Sequence, residues 1–516
     1  MTGAPRKRAL IVNCYVDETR RGVARSFKIP QTLGPVFLAG GLAPDRWDIR
    51  VHNELSDGPL ENPDVLGWPD LLVLTGLISS LDRMRQVTAY ARTLNPRVLV
   101  VGGGHLARAF PRFCATFMDV VCQGDVEEIR DVVAGHFGAG YASEAMIPRF
   151  DLGHWIGPVG HVESSRYCNF KCDFCILTAE GRKYQVDPVD HLDRQFAAQG
   201  RKRIALFIDN NFYGSDRAAF RERVACAGRR WRDGTIGNWS ALVTADFFRD
   251  PANLALVKQE GCIALFSGVE SFDPDWNARV NKKQNTDDGA ELIARCLDAG
   301  IMFLYGVILD LANRPIADIR RELEFILSCD RITLPGFLSL PIPLPGTPYF
   351  WEVFDSGRLL PSTKVRDLDS TTICVEPLDP LDEAVRFVRD LQTLRGYRGK
   401  AIRHGLRFHA RYARRLSPLQ HLVAATNSFL AAAPLAATLP KRLGSRAAPR
   451  TFVSTTEPLD AFYQPAFRVD AKWAHHFQPV LLTDEARGLS AELADDLEAS
   501  RPARKRSRAE SLPAVA

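Results

Sequence analysis

The chain has 516 residues, 46% hydrophobic and 25% charged, and 66 Lys plus Arg against 61 Asp plus Glu leave a formal charge of +5. That composition excludes collagen, coiled coil, disulfide mini-protein and wholesale disorder, and at roughly 150 residues per domain it suggests about three domains. The small net charge gives no case for nucleic acid as a partner. Met1–Arg8 is basic, but Ala9–Val12 is too short an apolar run for a signal peptide. Eleven irregularly spaced cysteines do not make a secreted disulfide framework, so a cytoplasmic, reducing setting is expected.

Residues 5–140 alternate short apolar runs with helical stretches. Ala9–Asn13, Trp47–His52, Leu71–Thr75, Val98–Gly102 and Asp119–Cys122 read as buried parallel strands. Pro35–Leu42 and Leu81–Thr93 have helical spacing, and Asp125–Glu128 is the acidic start of another helix. Strands alternating with helices predict a doubly wound, Rossmann-like α/β domain whose ligand sits at the carboxyl ends of the strands. Residues 141–160 carry Gly and Pro without periodicity and read as a linker.

A second α/β series covers 161–375. Its strands are expected at His161–Ser165, Ile204–Ile208, Asn238–Val243, Ala264–Val269, Met302–Leu309 and Gly336–Leu340, with helices at Arg217–Arg232 and Asp287–Ala299 among them. Six strands with crossovers predict a partial (β/α)6 barrel with its chemistry at the strand C-termini. Residues 376–490 look mainly helical, and 491–516 read as a disordered tail, with a basic run at Arg501–Arg508.

Within 376–490, Arg395–Arg415 holds eight basic residues and no acid. Lys400, Arg403, Arg407, Arg411 and Arg414 recur at helical spacing and form one stripe. The uncharged segment Leu419–Pro440 follows, too poor in large apolar residues for a membrane span. Two readings stand: a basic face packed on the barrel, or peripheral contact with anionic lipid at the inner face of the membrane.

The strongest signal is Cys168-Asn-Phe-Lys-Cys172-Asp-Phe-Cys175, just after the first barrel strand. Three thiolates at this spacing can hold three irons of a [4Fe–4S] cube and leave the fourth open. A structural zinc site is the alternative, but it would be closed by a fourth ligand. The other eight cysteines lie in apolar stretches and read as small buried hydrophobes.

These cysteines, with Phe174 before the last, resemble the cluster motif of the radical S-adenosylmethionine (SAM) superfamily. In that family SAM chelates the open iron, and an electron from the cluster cleaves its sulfonium to give a 5′-deoxyadenosyl radical. Asp209, Asn210 and Asn211 lie in Phe207–Phe212, which resembles an FxDDNF element. Their polar groups are suited to the amino and carboxylate ends of SAM. Gly268-Val-Glu-Ser271 resembles the family's GxES element, implying cofactor contacts from Glu270 and Ser271, with Ser240 a further candidate. Pro341–Pro348 resembles a PLPGTP loop, rigid through its four prolines.

Over residues 5–375 the layout resembles radical SAM enzymes with a cobalamin-binding domain. Loops at Thr75–Ser79, Val101–His105 and Gln123–Glu127 correspond to three that cradle cobalamin there. The resemblance therefore implies contacts from Thr75, Gly76, Ser79, Gly102, Gly103, Gly104, His105 and Gly124. The DxHxxG motif that supplies a histidine below the cobalt is absent, and Asn13–Gly22 stands in its place. Cobalamin is expected without such a histidine. Runs at Ser165–Phe170, Leu177–Glu180 and Phe266–Phe272 are similar to those of hopanoid C-3 methylases.

The resemblance implies methylation of an unactivated carbon, in a polycyclic lipid such as a hopanoid or another small molecule. One SAM supplies the radical and a second recharges the cobalamin, with an electron donor such as flavodoxin or ferredoxin. Radical rearrangement, cyclisation or oxidation without methyl transfer is the first alternative, and a metal or cobalamin carrier the second. No single residue stands out as acting on the substrate.

Overall fold

A computed structural model describes residues 6–15, 32–285, 287–393, 395–430, 453–454, 464–483 and 490–502. Five strands, β1 (Lys7–Cys14), β2 (Trp47–Asn53), β3 (Leu71–Gly76), β4 (Leu99–Gly102) and β5 (Val120–Val121), form a parallel sheet in the order β2-β1-β3-β4-β5. Both faces of β1 are covered. Leu10 and Val12 pack with Leu81, Met84 and Val87 of α1 (Leu81–Leu94), and Ala9 and Ile11 with Ile129 and Val133 of α2 (Glu128–Phe137). Burial on both sides explains the unbroken apolar run that marked this strand. The strand order reverses between β1 and β3, and a doubly wound sheet opens a ligand crevice at such a point.

The stretch expected to link the domains is instead packed on the first one. Ala43 N–H donates to Tyr141 O, Ser143 N–H to Gly41 O and Arg149 N–H to Val36 O, while the Trp47 indole donates to Tyr141 O at 2.8 Å. These backbone bonds carry no periodic pattern, so the sequence reads as loose.

The second sheet runs β6 (Val159–Val162), β7 (Ile204–Phe207), β8 (Trp239–Leu242), β9 (Cys262–Phe266) and β10 (Met302–Leu304), all parallel and adjacent in that order. Its curve continues into the parallel pair β11 (Gly306–Ile308) and β12 (Phe337–Ser339), through a bridge between Glu270 and Val307. The single strand expected at Met302–Leu309 is thus broken at Tyr305, whose buried hydroxyl donates to Thr333 O at 2.8 Å. Crossover helices α3 (Val189–Gln199), α4 (Arg217–Arg232), α5 (Pro251–Gln259), α6 (Gly289–Asp298) and α7 (Ile316–Ser328) cover the outside. Asp216, Asp250 and Asp288 cap α4, α5 and α6 with their carboxylates.

Three helices follow, α8 (Leu381–Thr393), α9 (Arg398–Tyr412) and α10 (Pro418–Leu430). Three residues of the basic stripe on α9 face the barrel. Lys400 pairs with Glu324, Arg411 with Asp330 at 3.0 Å, and Arg407 donates to Ser328 O at the end of α7. Acids and unpaired carbonyls at a helix C-terminus attract cations, so the packed reading accounts for these three residues. The other side of α9 and α10 shows Ile402, Leu406 and Leu422 to solvent at 58%, 68% and 63%. Among the described residues no helix is long and apolar enough to cross a membrane. Residues 431–440 of the uncharged segment, and 503–516, lie outside the described residues.

The expected disordered tail is corrected at its start. Residues 491–499 form a helix, α11 (Ala491–Ala499), capped by Ser490 and burying Leu493 and Leu497 against the first domain. Asp496 accepts from the N–H groups of Arg112 and Phe113, the open end of another short helix. Upstream, residues 464–483 strap α1, with Arg85 donating to Gln478 O and His475 O. The Leu pair four residues apart was the available signal, masked by the charges around it.

Candidate active site at the domain junction

The cysteine loop leaves β6 through Tyr167, whose backbone is left-handed at φ 64°. Each polar residue after β7 holds one part of that turn. Asp209 accepts from the N–H and hydroxyl of Ser164, at 3.2 and 2.9 Å, and from the Ser165 hydroxyl. Asn210 accepts from Tyr167 N–H, and the Asn211 amide donates to Asn169 at 2.7 Å. This corrects the expectation for Asp209 and Asn211. Both are buried and engaged with the loop, and Arg223, fully buried, lies 3.7 Å from Asp209. Asn210 keeps its edge on the open side.

Cys168, Cys172 and Cys175 are free thiols, and burial raises the pKa of all three, that of Cys175 to about 11. Lys282, 7% exposed at its side chain, opposes that shift at each. Phe170 N–H points at the Cys168 sulfur and the Gln284 amide at the Cys172 sulfur, both at 3.5 Å. A cation and N–H donors around converging thiols suit thiolates carrying a net negative metal group. Among the described residues no three His, Cys, Asp or Glu side chains are set to surround a single metal ion.

Glu270 sits at φ 61° and pairs with Lys282 beside the cysteines. Phe174 stacks on Trp276 at 6.3 Å and 23°, with the Lys282 ammonium over its other side. Ser271 turns away. Its hydroxyl donates to Glu322 at 2.7 Å and accepts from Arg314, so it braces α7 rather than facing the cysteines. Ser240 lies inside β8, not at its end, on the face shared with Leu242. The loop after β12 touches the site through its end, where Tyr349 N–H donates to Asp173 O.

A cavity of about 330 Å³ opens between the two domains. Thr75, Gly102, Gly103, Gly104, His105 and Gly124 line it from one side, and Glu163, Arg166, Tyr167 and Asn210 from the other. Gly76 and Ser79 are not among its lining residues; a Cβ on Gly76 would meet Cys14 O at 2.8 Å. A Cβ on Gly102 would overlap Met118 at 2.3 Å, and one on Gly124 the Glu128 carboxylate at 2.7 Å. Those two glycines make room for the protein itself. Gly104, at φ 88° and with only Gly76 O at 4.0 Å from where a Cβ would sit, lines the cavity. The volume accommodates a nucleotide-sized group, so the residues fit the tail of a corrinoid rather than the whole of one.

Charged pairs ring this cavity. His105 Nδ1 meets Glu180, which also takes Arg108 at 2.7 Å; Arg108 reaches Asp125 at 2.9 Å. Asp125 accepts from the Tyr167 hydroxyl, and Arg166 joins Glu127 and Glu163 at 2.7 and 2.8 Å. Burial raises Glu180, but contacts from His105 and Arg108 outweigh it and hold its carboxyl below the usual range. Burial likewise pushes Glu163 up to about 7 against the pull of Arg166. Tyr167 and Glu180 stood in runs read from the sequence, without a role of their own; Lys282, Gln284 and Glu163 were not anticipated. Only folding brings those three to the motifs, and no spacing rule marks them.

A partial barrel with three cysteines on the loop after its first strand, joined to a doubly wound domain, defines a class of iron–sulfur enzymes. Residues 162–326 match the Radical SAM superfamily model, and the chain carries a radical SAM domain. Members of that superfamily use a [4Fe–4S] cluster and SAM. The hopanoid C-2 methylase of Rhodopseudomonas palustris is 24% identical over 422 residues, 76% of each chain. This relative is a C-2 enzyme, where the sequence runs suggested C-3. The bacteriochlorophyllide d C-12(1)-methyltransferase of Chlorobaculum tepidum is 28% identical over 204 residues, 38% of this chain and 42% of that one. This chain thus spans less than half of that relative. The solved structure of OxsB, a cobalamin-dependent SAM radical enzyme with aqua-cobalamin and SAM bound, superposes with a TM-score of 0.57. It covers 82% of this chain and 72% of OxsB at 15% identity, which shows a shared fold.

Proposed function

We propose that the chain is a cobalamin-dependent methylase of an unactivated carbon in an uncharged polycyclic lipid. One observation carries the reading: Tyr167, covalently next to Cys168, lines the same cavity as the glycine loops of the first domain. The site for a corrinoid tail therefore abuts the site for the cluster. The names of the relatives support methyl transfer, and one of them names a hopanoid.

When bound, the cluster and SAM supply the radical and the corrinoid the methyl group. The chain's residues hold these partners in line and exclude water. Cys168, Cys172 and Cys175 would hold the cluster, and the Glu270 carboxylate would offer acceptors to a ribose or amino group of SAM. The charged web from His105 to Arg166 fixes the domains to one another across the cavity.

Anaerobic reconstitution with SAM, cobalamin, a reductant and hopene tests this. Methylated hopene with both S-adenosylhomocysteine and 5′-deoxyadenosine is expected. Product without S-adenosylhomocysteine would mean radical chemistry without methyl transfer, and no 5′-deoxyadenosine would mean a carrier. We further propose that the enzyme meets its lipid at the inner face of the membrane, through the exposed Ile402, Leu406 and Leu422, with Arg403 next to Ile402 in the chain.

A further inference from the structure

The barrel sheet has two unlike faces. Phe207, Ala241, Leu265 and Phe303 point outward, are at most 1% exposed and pack in the core with the crossover helices. Side chains alternate along a strand, so their neighbours point inward. Register places Leu206, Ser240, Ala264 and Met302 in one inner row and Leu242, Phe266 and Leu304 in the next. Met302 and Ala264 join the core and Leu304 packs against it, whereas Leu206, Leu242 and Phe266 are large, apolar and only partly buried. This part of the inner face is therefore open to something other than its own core.

Phe337 completes the second row. It is 44% exposed, lies opposite Gly306 in the β11–β12 register, and its ring stands 5.7 Å from that of Phe266 at 16°. Gly306 makes this arrangement possible, because a Cβ there would sit 2.2 Å from the Phe337 ring. Val307, the next residue, bridges to Glu270, so the two rings lie one step below the Glu270–Lys282 pair. At its other end the row reaches Ile208 and Glu163, which line the interdomain cavity. From Leu206 to Phe337 the face carries no ionisable side chain; its hydroxyls are those of Ser240 and Ser339. At the edge strand His161 shares a row with Leu206, and burial drives its imidazole down to about 4, so it is uncharged.

We infer that Phe266 and Phe337, set over Gly306, form an aromatic shelf that binds the flat ring system of an uncharged polycyclic substrate. The inference deepens the proposed methylase reading and rests on it for the word substrate. The two rings stack at an offset and leave part of an aromatic face free, and burying a charged or strongly hydrated group against it would go uncompensated. The shelf thus selects for rings without charge, and its position presents one edge of them to the cysteine side.

The test uses the full chain and perylene, a flat uncharged five-ring hydrocarbon, followed by fluorescence. Wild type is expected to bind perylene one to one, with hopene displacing it and palmitate not. Phe337→Ala and Gly306→Val should each weaken perylene binding by about tenfold. Phe337→Ala should keep wild-type iron content and melting temperature, and Gly306→Val, whose side chain must displace the Phe337 ring, should keep the iron content. Wild-type perylene binding in both variants, or displacement by palmitate as good as by hopene, would overturn the shelf. Failure of the methylase reading shows separately, as absence of 5′-deoxyadenosine or of methylated product while perylene still binds.

Discussion

The cysteine loop and the glycine loops face each other across one cavity, yet they are built by opposite means. Around the cysteines, side chains do the holding: Asp209 secures Ser164 and Ser165, Asn210 secures Tyr167, and Asn211 secures Asn169. Around the first domain's loops, missing side chains do it: Gly102 leaves room for Met118 and Gly124 for Glu128. A loop that must carry thiolates at fixed positions needs directed hydrogen bonds. A loop that must let a helix close on a strand end needs space.

The largest effect should come from the thiols. Changing Cys168, Cys172 and Cys175 together to Ala should abolish iron binding and 5′-deoxyadenosine formation, with the fold unchanged by circular dichroism. Full iron content in that variant would refute the assignment. Asp209→Ala tests whether the brace matters as much as the thiols it positions. It leaves Arg223, 0% exposed at its side chain, without its carboxylate, and removal of one partner from a buried pair costs about 3–5 kcal/mol. Urea unfolding should show that loss, and iron uptake should fall with it. An unchanged midpoint would mean that the Ser164–Ser165 turn holds without Asp209.

This contrast also explains what was legible in the sequence. The strands of the first sheet were readable because Ala9–Asn13 and Leu71–Thr75 are buried on both faces and need unbroken apolar runs. The cysteines were readable because cluster chemistry dictates residue type and spacing together. Lys282 was not, since its place beside all three thiols is set by the turn after Glu270, and a lysine in a polar run looks like any solvated charge. Ser271 was misjudged for the converse reason: its motif was right, but alternation along the chain turns its hydroxyl to Glu322. Gly102 and Gly124 line the cavity and also make room for Met118 and Glu128; this second purpose was not legible, because a turn that makes room for a side chain has the same letters as one that admits a ligand.

Glu163, at the seam between the two loops, gives a smaller and pH-dependent effect. Burial raises its carboxyl from 4.5 to about 7, so the folded chain favours the protonated form. Its stabilising contribution is full below the unfolded value near 4.5 and is lost as pH rises through 7. A fifth of the side chain reaches the cavity, so the loss is at most about 3 kcal/mol. Denaturant unfolding between pH 5 and 7.5, before cofactor loading, should show it in wild type. Glu163→Gln should flatten that dependence; a slope kept in full would place the titration elsewhere.

The smallest expected effects lie on α9, where the same contrast between directed bonds and open space recurs. Lys400 and Arg411 are paired with Glu324 and Asp330, but 40% and 48% of their side chains remain in solvent. Exposed pairs contribute little, so Lys400→Gln and Arg411→Gln should each lower stability by no more than about 1 kcal/mol. Because these charges already have partners on the barrel, neither change should alter flotation with anionic vesicles. Leu406 and Leu422 are apolar and stand 68% and 63% exposed. Replacing both by Asp would put like charge against the leaflet and remove apolar area that would otherwise insert. Flotation should then be lost while the melting temperature stays close to wild type. If the glutamine variants lose flotation and the aspartate variant keeps it, the stripe is the lipid contact after all, and its pairs with the barrel must open on binding.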